Sequence, residues 1–260
     1  MSKIIGRVIL KADLVVKTGL HIGGGSSSVE IGGIDNSVIK NYKGQPFIPG
    51  SSLKGKMRSL TELVLGHLKP KDDKCSPCQC GECSVCKIYG VGAPNNKKDK
   101  DKDIQILPTR VIVRDAFLKP EVAQKMYNKK GDFKELELNY TESKWENQID
   151  RLRSTANPRL IERVPEDAVF ETEFIYTVFN KEDIENLNVL IDGFKYLEDD
   201  YLGANGTRGY GKVEFKNINI SLKKITDYSN VISLETKKDL SSFDSKWIDE
   251  VKNYLISEGE

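Results

Sequence analysis

Near the start of the chain, apolar residues recur at every second position. Every second residue from 8 to 16 is apolar, with lysine or aspartate among the residues between, and this period is typical of a half-buried β-strand. Segments with strand character at 106–113, at 170–179 and from Val213 onward predict three further strands.

Two segments carry apolar residues at helical spacing. In the first, Met57, Leu60 and Val64 follow the serine pair at 51–52, whose hydroxyl groups can cap a helix. The second has one apolar face, formed by Ile184, Leu187, Ile191 and Phe194. The predicted order is β-α-β-β-α-β, an α+β fold of the ferredoxin-like type that RNA-recognition modules (RRM) also use. We expect this core, or palm, to span residues 1–222.

Three stretches interrupt or extend the predicted core. Residues 69–105 combine a cysteine cluster with an alternating charge run at 97–103, which cannot support a core and predicts an insertion. Residues 139–167 are polar and rich in arginine around Trp145, and they predict a second insertion that projects from the core. Residues 223–260 are predicted to form a C-terminal extension with a short helix near its end.

Composition excludes several classes of protein. With 260 residues, of which 38% are hydrophobic, the chain can bury one sizeable core or two small ones, unlike a disordered chain. Its longest apolar runs fall far short of the ~20 residues that a membrane helix needs, and the amino terminus carries no signal-peptide segment. We therefore expect a cytoplasmic protein with no membrane partner.

The formal net charge of +1 conceals a charge dipole along the chain. Residues 1–71 hold eleven Lys/Arg and four Asp/Glu, 11 − 4 = +7, while residues 181–200 hold two and seven, 2 − 7 = −5. Lys54, Lys56 and Arg58 lie in the first turns of a predicted helix, where backbone N–H groups and positive charge favour phosphate. The alternative is an ordinary solvated basic face.

All five cysteines lie within 12 residues, so they cannot form the disulfide framework of a domain this size. They are Cys75, Cys78, Cys80, Cys83 and Cys86. A structural Zn²⁺ needs four ligands, and His67 could replace one cysteine, so the ligand set stays open. An iron–sulfur cluster and free surface thiols are the alternatives.

Glycine-rich segments suggest a nucleotide site but do not complete one. The pattern of a P-loop is approached at 50–56 and at 206–212, but both lack the hydroxyl residue that holds Mg²⁺. Residues 203–211 therefore predict a close backbone approach to a phosphate or to another subunit, or a tight turn. Taken alone, Asp35 is typical of a turn, and His21 of a residue that hydrogen-bonds locally or contacts a ligand.

Five separated motifs, in this order, resemble one known family. They are TGLHIGGG at 18–25, IDN at 34–36, IPGSSLKGKMR at 48–58, NPR at 157–159 with IER at 161–163, and YLGANGTRGYG at 201–211. Together they closely resemble the repeated backbone subunit of the Csm complex, the type III-A CRISPR effector, a RAMP (Cas seven-like) family. The resemblance runs from about residue 4 to 220.

The resemblance implies a ferredoxin-like palm, stacked in several copies on a CRISPR guide RNA beside other Csm subunits. It implies that residues 139–167 form a thumb-like β-hairpin that kinks the guide, and that the cysteine segment carries structural zinc. It also implies metal-dependent endoribonuclease cleavage of the guide-paired target RNA at regular intervals, with Asp35 as the catalytic residue and Mg²⁺ or Mn²⁺ as cofactor. A purely structural RNA-binding subunit and a guide-processing nuclease that uses His21 are the rival hypotheses.

Motifs and charge together define the residues expected to bind RNA. They are His21, Lys54, Lys56, Arg58, Arg151, Arg153, Arg159, Arg163, Gly206, Arg208 and Gly209.

Overall fold

The computed structural model describes residues 3–24, 36–71, 74–92 and 108–256, with side chains except at 69–71 and 74–75. In chain order the elements are β1 (Gly6–Val16), β2 (Phe47–Ile48), α1 (Gly50–Val64), β3 (Lys69–Lys71), β4 (Lys74–Ser76), α2 (Ser84–Tyr89), β5 (Val111–Val113), β6 (Ala116–Leu118), α3 (Pro120–Tyr127), β7 (Glu142–Asp150), β8 (Thr155–Arg163), β9 (Val169–Val178), α4 (Lys181–Asp199), β10 (Val213–Lys224), β11 (Asp227–Ser233), β12 (Lys237–Asp239) and α5 (Lys246–Ile256).

Within the described ranges, eight strands form one antiparallel sheet. The strand order is β11-β10-β1-β9-β6-β2, with β5 also on β9 and β12 also on β10. The first strand is therefore central, paired with β10 on one side and β9 on the other. Its alternate residues are buried, as the period-two pattern predicts.

The main core lies between the sheet and the helices α1 and α4. Phe174 of β9 and Phe215 of β10 enclose Phe194 of α4, with ring centroids 4.6 Å and 4.8 Å from that residue. The spacing that predicted a helix at 184–194 is confirmed by α4, whose N-cap Asn180 accepts a hydrogen bond from the backbone N–H of Asp183. Helix α5 packs on α4 and buries Trp247, so the C-terminal extension contributes to this same core.

The predicted start of α1 is wrong in detail. The helix begins at Gly50 after Pro49, and no side chain at 51–52 caps it. The Gly50 N–H donates instead to Asp115 Oδ1 at 2.8 Å, so a carboxylate 65 residues away satisfies the helix terminus. Val64, expected on the buried face, is 57% exposed because the helix ends there.

Between α1 and β9 the chain differs from the prediction. The strand expected at 106–113 is shorter, at Val111–Val113, and residues 106–107 lie outside the described ranges. It is followed by β6 and α3, which the sequence did not predict. Among the described residues, no helix combines the length and apolar character needed to cross a membrane.

The strands β7 and β8 form a hairpin outside the main sheet. They pair antiparallel over nine positions, from Glu142 opposite Arg163 to Asp150 opposite Thr155. Most of the hairpin is exposed, and only Ile161 and Glu162 of its strand residues are buried. It lies within the stretch 139–167 predicted as a projecting insertion.

Candidate functional site

A cleft of about 370 Å³ lies where the lower half of the hairpin meets two loops of the core. One loop follows β1, and the other precedes β10. Three residues that the sequence singled out line it: His21, Arg159 and Arg208. The other polar lining residues were not among those expected to bind RNA, and they are Asn36, Glu146, Asn147, Gln148 and Asn205. The fold therefore brings together residues that are up to 187 positions apart (208 − 21 = 187).

His21 is held in one orientation. Its ring is buried, and Nδ1 donates to the Glu162 carbonyl oxygen at 2.6 Å. In the neutral ring, Nε2 is then a hydrogen-bond acceptor. Its own carbonyl oxygen accepts from the Ala204 N–H at 2.8 Å. A Cβ at Gly203, where φ is +81°, would lie 2.3 Å from that oxygen. Glycine is required there because the two loops touch through their backbones.

Glu162 fixes the segment after residue 35 against the base of the hairpin. Its buried carboxylate accepts from Thr141 Oγ1 at 2.5 Å and from the Val38 N–H at 3.0 Å, and it pairs with Lys40 Nζ at 2.5 Å. Its backbone N–H donates to the Asn36 carbonyl at 3.0 Å. Sequence reasoning missed this role, and the available signal was an acidic residue directly after the apolar Ile161 at the strand end.

Asp35, the predicted catalytic residue, lies outside the described residues. The following residue, Asn36, lines the cleft and bridges to Ile161 of β8. The chain therefore reaches the cleft at the residue next to Asp35.

The four hairpin arginines occupy three different positions, at the tip, beside the cleft and at the foot. Arg151 and Arg153 are exposed at the tip, where Asp150 Oδ1 accepts from the Arg153 N–H at 3.2 Å. Arg159 faces the cleft and donates to Gln148 Oε1 at 2.8 Å.

Arg163 has a supporting position at the foot of the hairpin. Its Nε lies 2.5 Å from Glu142 Oε1, and its guanidinium carbon lies 5.1 Å from the Tyr210 ring centroid. A Cβ at Gly19 would lie 2.4 Å from Arg163 Cδ, so the side chain packs on that glycine. These contacts occupy Arg163 within the protein.

The glycine-rich loop before β10 makes a short 3₁₀ turn at Gly206–Arg208. A Cβ at Gly206 would overlap the Tyr201 ring, so this glycine is required by packing. Gly209 has φ +86° and open space around its Cα, which leaves its backbone accessible. Arg208 lies 3.8 Å from Glu146 Oε2 and reaches across the cleft to the hairpin.

The three basic residues of α1 have different surroundings. Lys56 Nζ lies 3.3 Å from Asp200 Oδ1 and 3.7 Å from the Tyr201 ring centroid. Lys54 has neither a hydrogen bond nor an ion pair within the described part of the chain. Burial, and then the charge of Arg58, lower the Lys54 pKa below its usual value. An anion beside Lys54 would relieve this unfavourable environment.

Arg58 binds the cysteine segment. Its guanidinium donates to the carbonyl oxygens of Cys78 at 2.7 Å and Gly90 at 3.0 Å, and to Glu62 Oε1 at 2.9 Å. The same Glu62 oxygen accepts from the Cys78 N–H at 2.9 Å. Arg58 thus joins α1 to both ends of the cysteine loop, and its donors face away from solvent.

Four sulfur atoms lie within 4.8 Å of one another, those of Cys78, Cys80, Cys83 and Cys86. Tetrahedral zinc with Zn–S bonds of about 2.3 Å requires sulfur atoms about 3.8 Å apart. The sulfur atoms of Cys78 and Cys83 are 3.9 Å apart, and those of Cys80 and Cys86 3.8 Å.

The sulfur positions bear on which of the five cysteines and His67 could hold a metal ion. Among the residues with described side chains, His67 is not part of this group, and the Cys75 side chain lies outside them. Although burial opposes it, hydrogen bonds led by the Cys83 N–H lower the Cys80 pKa to about 6, whereas burial raises the pKa of Cys83 and of Cys86. The fit of this donor set to a closed four-thiolate metal site therefore rests on the spacing of the sulfur atoms.

Solved structures share this fold. A Csm3–Csm4 subcomplex of the type III-A CRISPR-Cas interference complex matches with a TM-score of 0.58 and 29% identity, covering 99% of each chain. The Csm3 crystal structure from Methanopyrus kandleri matches with a TM-score of 0.58 over 97% of this chain and 98% of the other. At 19% identity, this second match supports the fold alone.

Sequence relatives give the family. The protein named CRISPR system Cms endoribonuclease Csm3 from Methanocaldococcus jannaschii is 42% identical over 223 residues, which cover 84% of this chain and 82% of the relative. Its namesake from Methanothermobacter thermautotrophicus is 40% identical over 246 residues, covering 90% and 94%. The RAMP superfamily profile matches residues 13–214. The resemblance drawn from the five motifs is thus confirmed, and the chain belongs to the RAMP superfamily, in its branch of Csm3 CRISPR subunits.

Proposed function

We propose that this chain is the repeated guide-RNA-binding subunit of a type III-A CRISPR complex and cleaves target RNA paired to that guide. The relatives are named endoribonucleases, and the solved relative is a subunit of an interference complex. The cleft carries the proposal, because it joins two arginines, a buried histidine and the residue after Asp35 beside a projecting hairpin.

The proposed chemistry is attack of a target 2′-hydroxyl, which loses its proton, on the adjacent phosphorus; the P–O5′ bond breaks, and the products are a 2′,3′-cyclic phosphate and a 5′-hydroxyl that takes up a proton. Arg159 and Arg208 both line the cleft and can bind the phosphate oxygens. Asp35 would hold a divalent cation, Mg²⁺ or Mn²⁺, which would supply positive charge against the developing negative charge. His21 presents Nε2 to the same cleft, where it contacts RNA.

We further propose that the core is a ferredoxin-like palm within residues 1–222, extended by residues 223–260. The placement of β1 between β9 and β10, with α1 and α4 on one face, supports this arrangement. The hairpin at 139–167 then acts as the thumb that kinks the RNA. A cytoplasmic location stays a prediction.

We assign the four-thiolate site to structural zinc within the insertion at 69–105. Four protein ligands leave no open position for substrate, so the metal contributes stability rather than cleavage. Arg58 connects the site to α1, whose free Lys54 is the proposed contact to the guide phosphates. Copies of the chain and other Csm subunits complete the filament.

Replacement of Asp35 tests the enzymatic proposal against the structural one. In the assembled complex with guide RNA and Mg²⁺, Asp35→Ala is expected to slow target cleavage by about 10²-fold or more while assembly and RNA binding persist. Asp132→Ala, at an exposed aspartate on a 3₁₀ turn, is the matched control and should cleave normally. Undiminished cleavage by Asp35→Ala would leave the chain a scaffold.

A chelator distinguishes the guide-processing hypothesis from the proposed function. If the isolated chain cut precursor repeat RNA in the presence of EDTA, a metal-independent guide-processing role for His21 would replace the proposed function. We expect no such cutting, and loss of target cleavage on chelation.

A further inference from the structure

A second concave surface lies beyond the candidate cleft, between the loop at 41–45, β6 and α3. Its volume is about 570 Å³, larger than that of the cleft. Four aromatic side chains line it: Tyr42, Phe117, Tyr127 and Tyr140. We call this surface the aromatic groove. Nothing in the proposed cleavage chemistry uses it.

The rings of the aromatic groove are exposed to an unusual degree. Tyr42 is 92% exposed, Tyr127 59% and Phe117 48%. Large apolar side chains that cluster on a surface mark a binding site, because each exposed ring forgoes the free energy of burial. Two rings are held by neighbours: Phe117 stacks on Phe47 at 5.7 Å, and Tyr127 lies 6.1 Å from Tyr140. Phe117 and Tyr127 are therefore already oriented before a ligand arrives, whereas Tyr42 projects into solvent.

The electrostatics of the groove favour an anionic ligand. Among the residues that the structure describes, those lining the groove include no acidic side chain, although the chain holds 39 Asp and Glu. Lys43 is the one cation among these described lining residues, and its Nζ lies 5.6 Å from the Tyr42 ring centroid. Gln124 adds a side-chain amide, which can pair with the edge of a nucleobase, whereas the amides of Asn41 and Gln45 hydrogen-bond each other within the loop. Exposed rings, an amide and a cation without carboxylates are the chemistry of a single-strand platform.

The aromatic groove and the candidate cleft are joined by a short segment of chain. Asn36 lines the cleft and Asn41 lines the groove, so four residues lie between them and their Cα atoms are at most about 18 Å apart. This connection is ordered, because the Ile39 N–H donates to the Ile22 carbonyl at 2.9 Å and the Asn41 N–H to the Gln45 carbonyl at 2.8 Å. One RNA strand can therefore contact both surfaces.

We propose that the aromatic groove binds unpaired nucleobases of the RNA strand that leaves the cleft, by stacking on Tyr42 and Tyr127. This inference rests on the proposed function, since it takes RNA to be the ligand of the cleft. It adds a second RNA contact that acts in binding and has no part in the cut. A docked protein subunit is the other class of occupant, and it is an outcome of the test below.

The test compares two double variants of the full chain in the assembled complex. Tyr42→Ala with Tyr127→Ala removes both rings, whereas Tyr42→Phe with Tyr127→Phe keeps them and is the matched control. Binding of target RNA is measured in an Asp35→Ala background at several salt concentrations. We expect the alanine pair to bind at least about tenfold more weakly with an unchanged salt slope, because stacking releases no counterions. The phenylalanine pair should bind as the parent does.

Photocrosslinking locates the contact independently. Target RNAs that each carry a single 4-thiouridine flanking the cleavage position should crosslink to peptides containing Tyr42 or Tyr127. Unchanged affinity in the alanine pair, or crosslinks only at the cleft, would overturn the proposal. Loss of subunits from the complex with RNA affinity per copy unchanged would assign the groove to a protein partner instead. If even the parent complex bound no target RNA, the proposed function would fail, and not this inference alone.

Discussion

The central sheet and the β7–β8 hairpin are both antiparallel, yet they are stabilised in different ways. In the sheet, β1 has a neighbour on each side and buries every second residue under α1 and α4. In the hairpin, β7 buries none of its residues, and the apolar side chains of Ile149 and Leu152 are 66% and 97% exposed. A lone two-stranded hairpin is marginal in water.

The difference shows where each part obtains its order. The sheet is ordered by its own apolar burial, which acts without any partner. The hairpin is held at its foot by the ion pairs of Glu162 and Arg163, whereas its distal half is exposed. Rigid support at the base and a free tip suit a structure that inserts into a ligand. Substitutions in the two regions should therefore change different observables.

The largest effect on stability is expected in the sheet. Phe174→Ala removes a buried ring that contacts Phe194 and Phe215, so the free energy of unfolding should fall by about 3–5 kcal/mol. Ile149→Ala in the hairpin should change it by less than about 0.5 kcal/mol. Chemical denaturation of the purified chain measures both. Similar losses in the two variants would show that the hairpin carries a core of its own.

An intermediate effect is expected at the foot of the hairpin. Glu162→Ala leaves Lys40, the Val38 N–H and the Thr141 hydroxyl without their acceptor, which should cost about 2 kcal/mol. Glu166→Ala removes an exposed carboxylate that has no hydrogen bond or ion pair within the described part of the chain, and serves as control. Hydrogen exchange should show faster exchange at 36–40 in the Glu162 variant. Equal protection in both variants would contradict the role given to Glu162.

The contrast between supported and free residues recurs within α1. Arg58→Gln breaks the bonds to the Cys78 and Gly90 carbonyls and should weaken zinc retention about tenfold against a competing chelator. Lys54→Gln should leave zinc unaffected and lower RNA affinity a few-fold. Metal analysis and filter binding on both variants provide the two readouts. If Arg58→Gln lost RNA affinity with zinc retained, Arg58 would be an RNA contact.

The smallest effect per residue is expected at the hairpin tip. Arg151→Gln with Arg153→Gln should reduce the salt slope of RNA binding by about 1.5, since each phosphate contact contributes about 0.7–0.9. Stability should not change, because both side chains are exposed. Arg163→Gln is the informative comparison, and it should lower stability with little change in slope. If the tip variants lost stability and Arg163→Gln lowered the salt slope, the foot would be the RNA contact and the tip the structural support.

Much of the core was predictable because its signals are local. The period-two pattern at 8–16 and the helical face at 184–194 each correspond to an element whose buried residues match the pattern. The short β6 and helix α3 were missed because three residues of strand and eight of helix are too few for a period to stand out. The cap of α1 was missed because its acceptor, Asp115, is far away in sequence.

The sequence predicted several residues that line the candidate site, but it did not predict which groups each side chain contacts. The motifs singled out His21, Arg159 and Arg208, and the fold brings all three to one cleft. They also singled out Arg58, Lys56 and Arg163, whose side chains the fold pairs with carboxylates and backbone carbonyls. The cysteine spacing predicted a metal site, and among the described side chains the sulfur atoms of four cysteines lie close enough together to hold one ion.

The sequence by itself determined which elements form, because side-chain period and backbone preference act between residues a few positions apart. It also determined the family, because short motifs survive in order along the chain. Only the tertiary structure decided which basic side chains are free for RNA and which form ion pairs or hydrogen bonds within the protein. A charged group finds its partner in space, and the partners of Arg58, Lys56 and Glu162 include residues 20, 144 and 122 positions away. Local pattern carries no information about contacts at that separation.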